Sequence, residues 1–154
     1  MYPTLLLLHS WTRWLVLVFG LIAIFRAFSG WQSRSTFTGA DNGMGASFVG
    51  SMHLQLLLGI ILYFISPVGA KALENGGAAT VMKDATGRFF AVEHMLMMIV
   101  AVIIAQVGRI VSKKATDPVL KHKRAFIWFT VALIIVLLMI PWGIWNPARP
   151  IFRF

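Results

Sequence analysis

Four long apolar segments, separated by polar stretches, dominate the hydropathy pattern of this 154-residue chain. They cover about residues 4–28, 46–65, 88–111 and 125–145. Each segment has roughly the 20 residues that an α-helix needs to cross about 30 Å of hydrocarbon. The pattern therefore predicts an all-α fold, with a single membrane domain (residues 1–154) built as a four-transmembrane-helix bundle.

Turn-forming residues mark the ends of these segments. Ser66 and Pro67 close the second one, while Asp117 and Pro118 form an N-cap followed by proline at the first helical position, ahead of the fourth. Residues 68–87 are rich in glycine and polar side chains, so we expect a flexible loop outside the membrane.

The composition indicates an integral membrane protein. Hydrophobic residues make up 58% of the chain and charged residues 12%, and the mean hydropathy is +0.80. The formal net charge of +9 comes from basic residues beside the apolar segments, where they anchor helices, so we expect no nucleic-acid partner. The chain has no cysteine, which excludes disulfides, iron–sulfur clusters and covalently attached haem.

The basic residues are distributed unequally between the two ends of the predicted helices. The first and third connections hold eight of them: Arg26, Arg34, Arg109, Lys113, Lys114, Lys121, Lys123 and Arg124. The second connection and the C-terminal tail hold five: Lys71, Lys83, Arg88, Arg149 and Arg153. The positive-inside rule therefore places both termini of this multi-pass protein on the outer side of the membrane.

Two histidines are predicted to lie at one depth in the membrane. His9 is five residues inside the first segment and His94 is six inside the third, so both lie about 8–9 Å below the outer boundary. An ionisable side chain within a membrane is unfavourable unless it has a partner. Two imidazoles at one depth on two helices predict a haem that both ligate, from opposite faces of the macrocycle.

The residues near these histidines are expected to leave space for the flat haem macrocycle. Small or flexible side chains share their helix faces: Gly20, Met98 and Ala101. Arg13, one turn beyond His9, needs a partner, and either a haem propionate or Glu93 provides one through a charge-assisted hydrogen bond. An Arg13–Glu93 ion pair that only fixes the register of two helices is the structural alternative.

The other two histidines are weaker candidates. His53 lies in the inner half of the second helix, where it is able to bind a quinone carbonyl, to ligate a second haem with His122, or to hydrogen-bond a neighbouring helix. We favour the neighbouring helix. His122 lies within Lys-His-Lys-Arg, so we expect a solvated residue at the inner surface.

Several segments resemble a family of small four-helix bacterial membrane proteins labelled cytochrome b. They are HSWTRW from His9, HLQLLLGIILYF from His53, RFFAVEHMLMM from Arg88, KHKRAFIWF from Lys121, and the closing Pro141-Trp142. The resemblance implies non-covalently bound haem b and electron exchange with membrane quinol. His9, His53 and His94 match the histidine positions of that family.

Three functions stay open at this point. The first is an electron carrier that passes electrons from membrane quinol through one haem b, with His9 and His94 as its iron ligands. The second is a non-catalytic small membrane subunit or scaffold, in a larger respiratory-type complex or a homo-oligomer. The third is a metal-ion-binding membrane protein that uses the same two histidines together with Met95, Met97 and Met98. Nothing in the sequence matches a nucleotide-binding loop or a hydrolase motif.

Overall fold

The structure, a computed structural model, describes residues 1–142, which fold into helices without a strand. The elements in chain order are α1 (Tyr2–Gln32), α2 (Gly39–Ile65), α3 (Ala70–Gly76), α4 (Ala78–Lys83), α5 (Ala85–Arg88), a π-helix (Phe89–Glu93), α6 (His94–Lys114) and α7 (Pro118–Met139). In this part of the chain, four helical units are long and apolar enough to cross a membrane. The prediction of an all-α bundle of four transmembrane helices is confirmed.

The last spanning helix starts at its predicted N-cap, but its bounds differ from those of the predicted apolar segment 125–145. The Asp117 side chain accepts a hydrogen bond from the Leu120 N–H at 2.8 Å and α7 begins at Pro118, which confirms the predicted N-cap and first-turn proline and places the helix start ahead of the apolar segment that begins near 125. It ends at Met139, because Ile140 precedes Pro141 and proline disfavours the helical conformation in the residue before it. Residues 143–145 of the predicted segment lie outside the described residues.

The segment of residues 68–87, between α2 and α6, was predicted as a loop, and the structure shows that this is wrong. It forms three short helices, because its alanine, leucine, lysine and glutamate residues are good helix formers. Gly77 separates α3 from α4 with a φ of 73°, a left-handed conformation that glycine adopts without strain. The Asp84 side chain caps α5 by accepting from the Gly87 N–H at 2.6 Å.

The four spanning helices form a closed ring in which α1 and α6 lie diagonally opposite. Each of these two helices packs against both α2 and α7. Small residues set the spacing between neighbours: a Cβ atom on Gly20 would lie 2.9 Å from the Phe48 ring and 3.0 Å from Leu133. Ala101 is completely buried in the same core. The bundle axis is therefore where side chains of α1 and α6 can meet.

The outer surface of the bundle is apolar. Phe25 and Leu138 are 71% and 68% exposed, and many other large apolar side chains point outward. An exposed apolar surface that extends over whole helices marks contact with lipid. Together with the helix lengths, it makes the chain a multi-pass membrane protein.

Candidate functional site

His9 on α1 and His94 at the start of α6 face each other across the bundle. Their ring centroids are 6.5 Å apart, with an angle of 68° between the ring planes. Since the two helices lie diagonally opposite each other, the rings meet near the bundle axis and at one level. The sequence argument from membrane depth thus predicted that these two side chains lie close to each other.

A backbone carbonyl at the end of α7 orients the His94 ring. Nδ1 of His94 lies 2.8 Å from the Met139 oxygen. A carbonyl oxygen only accepts hydrogen bonds, so Nδ1–H is the donor and Nε2 keeps its lone pair. Met139 is the last residue of α7, where helix carbonyls need partners from outside the helix. Proteins commonly orient metal-binding histidines with a hydrogen bond of this kind.

The π-helix from Phe89 to Glu93 ends directly before His94. Such wide turns are rare and are frequently found at functional sites, because they change the direction of the side chains that follow. Phe89 and Phe90 pack on the imidazole, with ring centroids 5.7 and 6.4 Å from that of His94. Sequence reasoning assumed a continuous α-helix here and missed this feature.

Helix α2 holds His9 at two points. The Gln55 side-chain amide donates to the His9 carbonyl at 2.9 Å, and the Thr12 hydroxyl donates to the Gln55 side-chain oxygen. One turn later, Gly59 leaves space for the imidazole, since a Cβ atom there would lie 3.3 Å from Cε1 of His9. Sequence reasoning missed this role of Gln55. Its polar side chain within an apolar span was the signal that a partner helix was close.

Removing the Thr12 hydroxyl is expected to destabilise the bundle by about 1 kcal/mol, because hydrogen bonds between membrane helices contribute roughly that much. The Thr12→Val variant keeps the shape of the side chain and loses the hydroxyl contacts with Gln55 and with the Leu8 carbonyl oxygen, which lies 2.9 Å away. Thr130→Val is the matched control, since the Thr130 hydroxyl is buried without a hydrogen-bond partner within residues 1–142. That control is expected to be neutral or slightly stabilising. Unfolding in mixed detergent micelles measures the stability of both variants. Equal losses of stability would contradict a stabilising hydrogen bond between Thr12 and Gln55.

A cavity of about 150 Å³ opens between the two histidines. Its walls are mainly apolar and include several polar or flexible side chains: Ser10, Arg13, Gln55, Tyr63, Met95 and Met98. A dry cavity of about 150 Å³ in another protein holds one benzene molecule. The cavity thus admits a six-membered ring, while a porphyrin requires side chains to move aside. Methionine side chains do so readily, because they are unbranched.

The predicted ion pair between Arg13 and Glu93 is wrong. The Glu93 carboxylate instead accepts a hydrogen bond from Arg88 Nε at 2.7 Å and is 43% exposed. These two residues are five apart, the spacing of one turn in a π-helix, so the local structure brings them together. Arg13 lines the cavity, and its guanidinium lies 5.5 Å from the centre of the Trp14 ring.

The remaining predicted site residues divide into two groups. His9, Arg13, His94 and Met98 line the cavity. Gly20 and Ala101 lie in the packed core away from it, where they let helices approach closely. They are not part of the cavity wall, because their helix faces turn toward Phe48, Leu133 and the rest of the core.

His53 is on the exposed side of α2, away from the cavity. Its Nδ1 is 2.8 Å from the carbonyl oxygen of Val49, one turn earlier on the same helix. The hydrogen bond to a neighbouring helix that the sequence favoured is therefore replaced by a bond within α2. A polar side chain in an apolar helix satisfies itself in this way when no polar group of another helix is within reach.

The prediction of a solvated His122 is also wrong. This side chain is 1% exposed, lies 5.0 Å from Phe37 between ring centroids, and has Nε2 3.4 Å from the Thr36 carbonyl oxygen. Because α7 begins at Pro118, the residue is already one turn inside the helix and faces inward. Gly30 makes room for it, since a Cβ atom there would collide with the imidazole.

In the described part of the chain, no three histidine, aspartate or glutamate side chains come together as a metal-ion site. The histidine pair alone offers two nitrogen ligands, fewer than a dedicated ion cage needs and the number that a haem iron takes as axial ligands. No family model, curated protein or solved structure matches the chain.

Proposed function

We propose that this protein is a membrane electron carrier that binds one haem b between His9 and His94. A metal-bound imidazole nitrogen lies about 2 Å from the metal and about 1 Å from the centre of its own ring. Two imidazoles on opposite sides of one metal therefore have ring centres about 6 Å apart. The observed 6.5 Å between the rings is the observation that carries the proposal.

The chain supplies the orientation and the surroundings of this site. Met139 holds His94 so that Nε2 is available as a ligand, and Gln55 fixes the backbone of His9. Arg13 lines the same cavity, where its charge complements a propionate carboxylate. The haem itself supplies a one-electron couple, whose potential depends on its axial ligands and its burial. Membrane quinol is the electron donor that the location within a bilayer favours.

The cavity volume favours a second candidate function, the binding of a quinone head group without haem. A space of about 150 Å³ suits a single six-membered ring. The lone pair on Nε2 of His94 is able to accept a hydrogen bond from a quinol hydroxyl. In this case the two histidines would position a redox ligand rather than ligate iron.

An absorption spectrum of the detergent-purified protein tests the first proposal against the second. A six-coordinate low-spin haem spectrum, with one haem per chain, is the expected result. The same sample is extracted with organic solvent and its quinone content measured. Folded protein that contains quinone and takes up no added haem would support the second candidate and reject the first.

We further propose an inner-membrane location with both termini in the periplasm, on the basis of the charge distribution. The chain has no cysteine, so single cysteines report the topology directly. Ala78 and Thr116 are exposed positions in the two connections that the proposal places on opposite sides. A membrane-impermeant thiol reagent is expected to label Ala78→Cys in intact cells and Thr116→Cys only after lysis. The reverse labelling pattern would invert the orientation.

A further inference from the structure

A second, smaller cavity lies at the opposite end of the bundle, where α1 and α6 end and α2 and α7 begin. Its volume is about 20 Å³. Polar and charged side chains from all four spanning helices line it: Arg26, Asp41, Asn42, Arg109, Ser112, Lys113 and His122. None of them belongs to the cavity at His9 and His94.

Three side chains in this wall have buried polar atoms without a hydrogen-bond partner within residues 1–142. They are Nε of Arg109, Nδ1 of His122 and Oδ1 of Asn42. The His122 side chain is 1% exposed, and a polar atom buried so deeply is unfavourable unless it is hydrogen-bonded. The two ends of an asparagine amide are interchangeable by rotation, so Asn42 is able to present its NH₂ group instead. These atoms point to a ligand that accepts several hydrogen bonds at once.

The charges in the wall favour an anion. Three cations, Arg26, Arg109 and Lys113, face one carboxylate, that of Asp41. This carboxylate is already occupied, because it binds Arg26 at 2.8 Å and accepts from the Thr38 hydroxyl at 2.6 Å. The positive charges of Arg109 and Lys113 consequently have no anionic partner in the wall.

We propose that this cavity binds a phosphate group, carried by an anionic phospholipid or free in solution. A volume of about 20 Å³ admits about one oxygen atom, since a cavity needs roughly 10–15 Å³ to hold a water molecule. One phosphate oxygen enters between Arg109, Asn42 and His122, and the rest of the group stays at the mouth beside Lys113. In this arrangement Nδ1 of His122 donates to the phosphate oxygen, while Nε2 stays 3.4 Å from the Thr36 carbonyl oxygen.

The cavity lies at the depth of lipid head groups. Helix α1 has 31 residues and is about 46 Å long, whereas the hydrocarbon core is about 30 Å thick. Counted from the predicted outer boundary at Thr4, Arg26 lies about 33 Å along α1, so the last turns of this helix extend into the head-group region. Basic pockets between transmembrane helices at this depth bind the head groups of anionic lipids.

The test uses delipidated full-length protein in a neutral detergent, with thermal unfolding as the readout. Dioctanoyl phosphatidylglycerol and inorganic phosphate are titrated separately against sodium chloride of equal ionic strength. The buffer contains about 0.3 M salt, which screens charges on the exposed surface. At least one of the two phosphate compounds is expected to raise the melting temperature until saturation. Saturation by the lipid alone assigns a head-group site, and saturation by inorganic phosphate assigns a site for the free ion.

Matched variants distinguish phosphate binding in the cavity from non-specific attraction to the positively charged surface. Arg109→Gln is expected to weaken phosphate binding at least tenfold, while Lys114→Gln, which removes the same charge from an exposed position at the same end, changes it less than twofold. Asn42→Leu leaves every charge in place and is also expected to weaken binding, which keeps the test valid if Arg109→Gln fails to fold. Equal weakening by Arg109→Gln and Lys114→Gln would overturn the proposal. So would a chloride effect equal to that of phosphate, or unchanged binding in both cavity variants.

Discussion

Alanine at His9 or at His94 is expected to abolish haem retention, with loss of the six-coordinate low-spin spectrum. Each substitution removes one of two imidazoles that lie 6.5 Å apart and leaves the iron with one strong protein ligand. The haem-to-protein ratio and the reduced-minus-oxidised spectrum of the purified variants measure the effect. A six-coordinate low-spin spectrum in either variant would remove that histidine from the proposed site.

His53→Ala is the matched control for this experiment, because His53 is an imidazole on the exposed face of α2 whose hydrogen bond among residues 1–142 is to Val49 of the same helix. It is expected to keep its haem. Nδ1 of His9 has no hydrogen-bond partner within the described residues, so we expect His9→Ala to disturb the fold less than His94→Ala. His94→Ala also loses the bond to Met139. Circular dichroism of the haem-free variants separates this structural loss from the loss of a ligand.

A methyl group added at Gly108 is expected to destabilise the bundle by about 1–3 kcal/mol, the usual effect of overpacking a filled core. Helix α7 passes so close to Gly108 that a Cβ atom there would collide with Cβ of Trp128 and lie 3.5 Å from its Cα. Because the obstacle is at the base of the side chain, no change of rotamer relieves it. The helices have to move apart. Unfolding of Gly108→Ala in mixed micelles provides the measurement.

Gly50→Ala makes the same chemical change, and we expect it not to lower the stability of the bundle. Gly50 is exposed on α2, and a Cβ atom there meets nothing within 4 Å. Alanine is favoured over glycine in a helix by about 1 kcal/mol, so this variant is expected to be as stable as the parent or more stable. Equal destabilisation of the two variants would show that close packing at Gly108 is not the cause.

Regular geometry made part of this structure predictable. The rise per residue of a helix is constant, so counting from the polar ends of two apolar segments was enough to place His9 and His94 at one level. Hydropathy alone identified the spanning helices, because lipid-facing surfaces leave an unbroken apolar signal. Tertiary packing determines which helices lie diagonally opposite each other in the bundle, so that arrangement could be read only from the structure.

Other features depend on contacts that no local pattern shows. The basic neighbours of His122 suggested solvent, but the side chain is buried because Gly30 on α1 leaves space for it. Gln55 is one polar residue in an apolar run, and its role became visible only with the backbone of His9 beside it. The Arg88–Glu93 pair depends on a five-residue spacing that an α-helix would not bring together.

The π-helix before His94 also determines where the third spanning helix tolerates a change in length. A π-turn contains one residue more than an α-turn, so deleting one residue between Phe89 and Glu93 converts the segment into an ordinary α-helix. The orientation of α6 toward α2 and α7 is then preserved. A deletion within α6 instead rotates one part of that helix against the other by about 100°. Homologues that differ by a single residue in this helix are therefore expected to carry the insertion or deletion at this turn, with the histidine still directed toward the bundle axis.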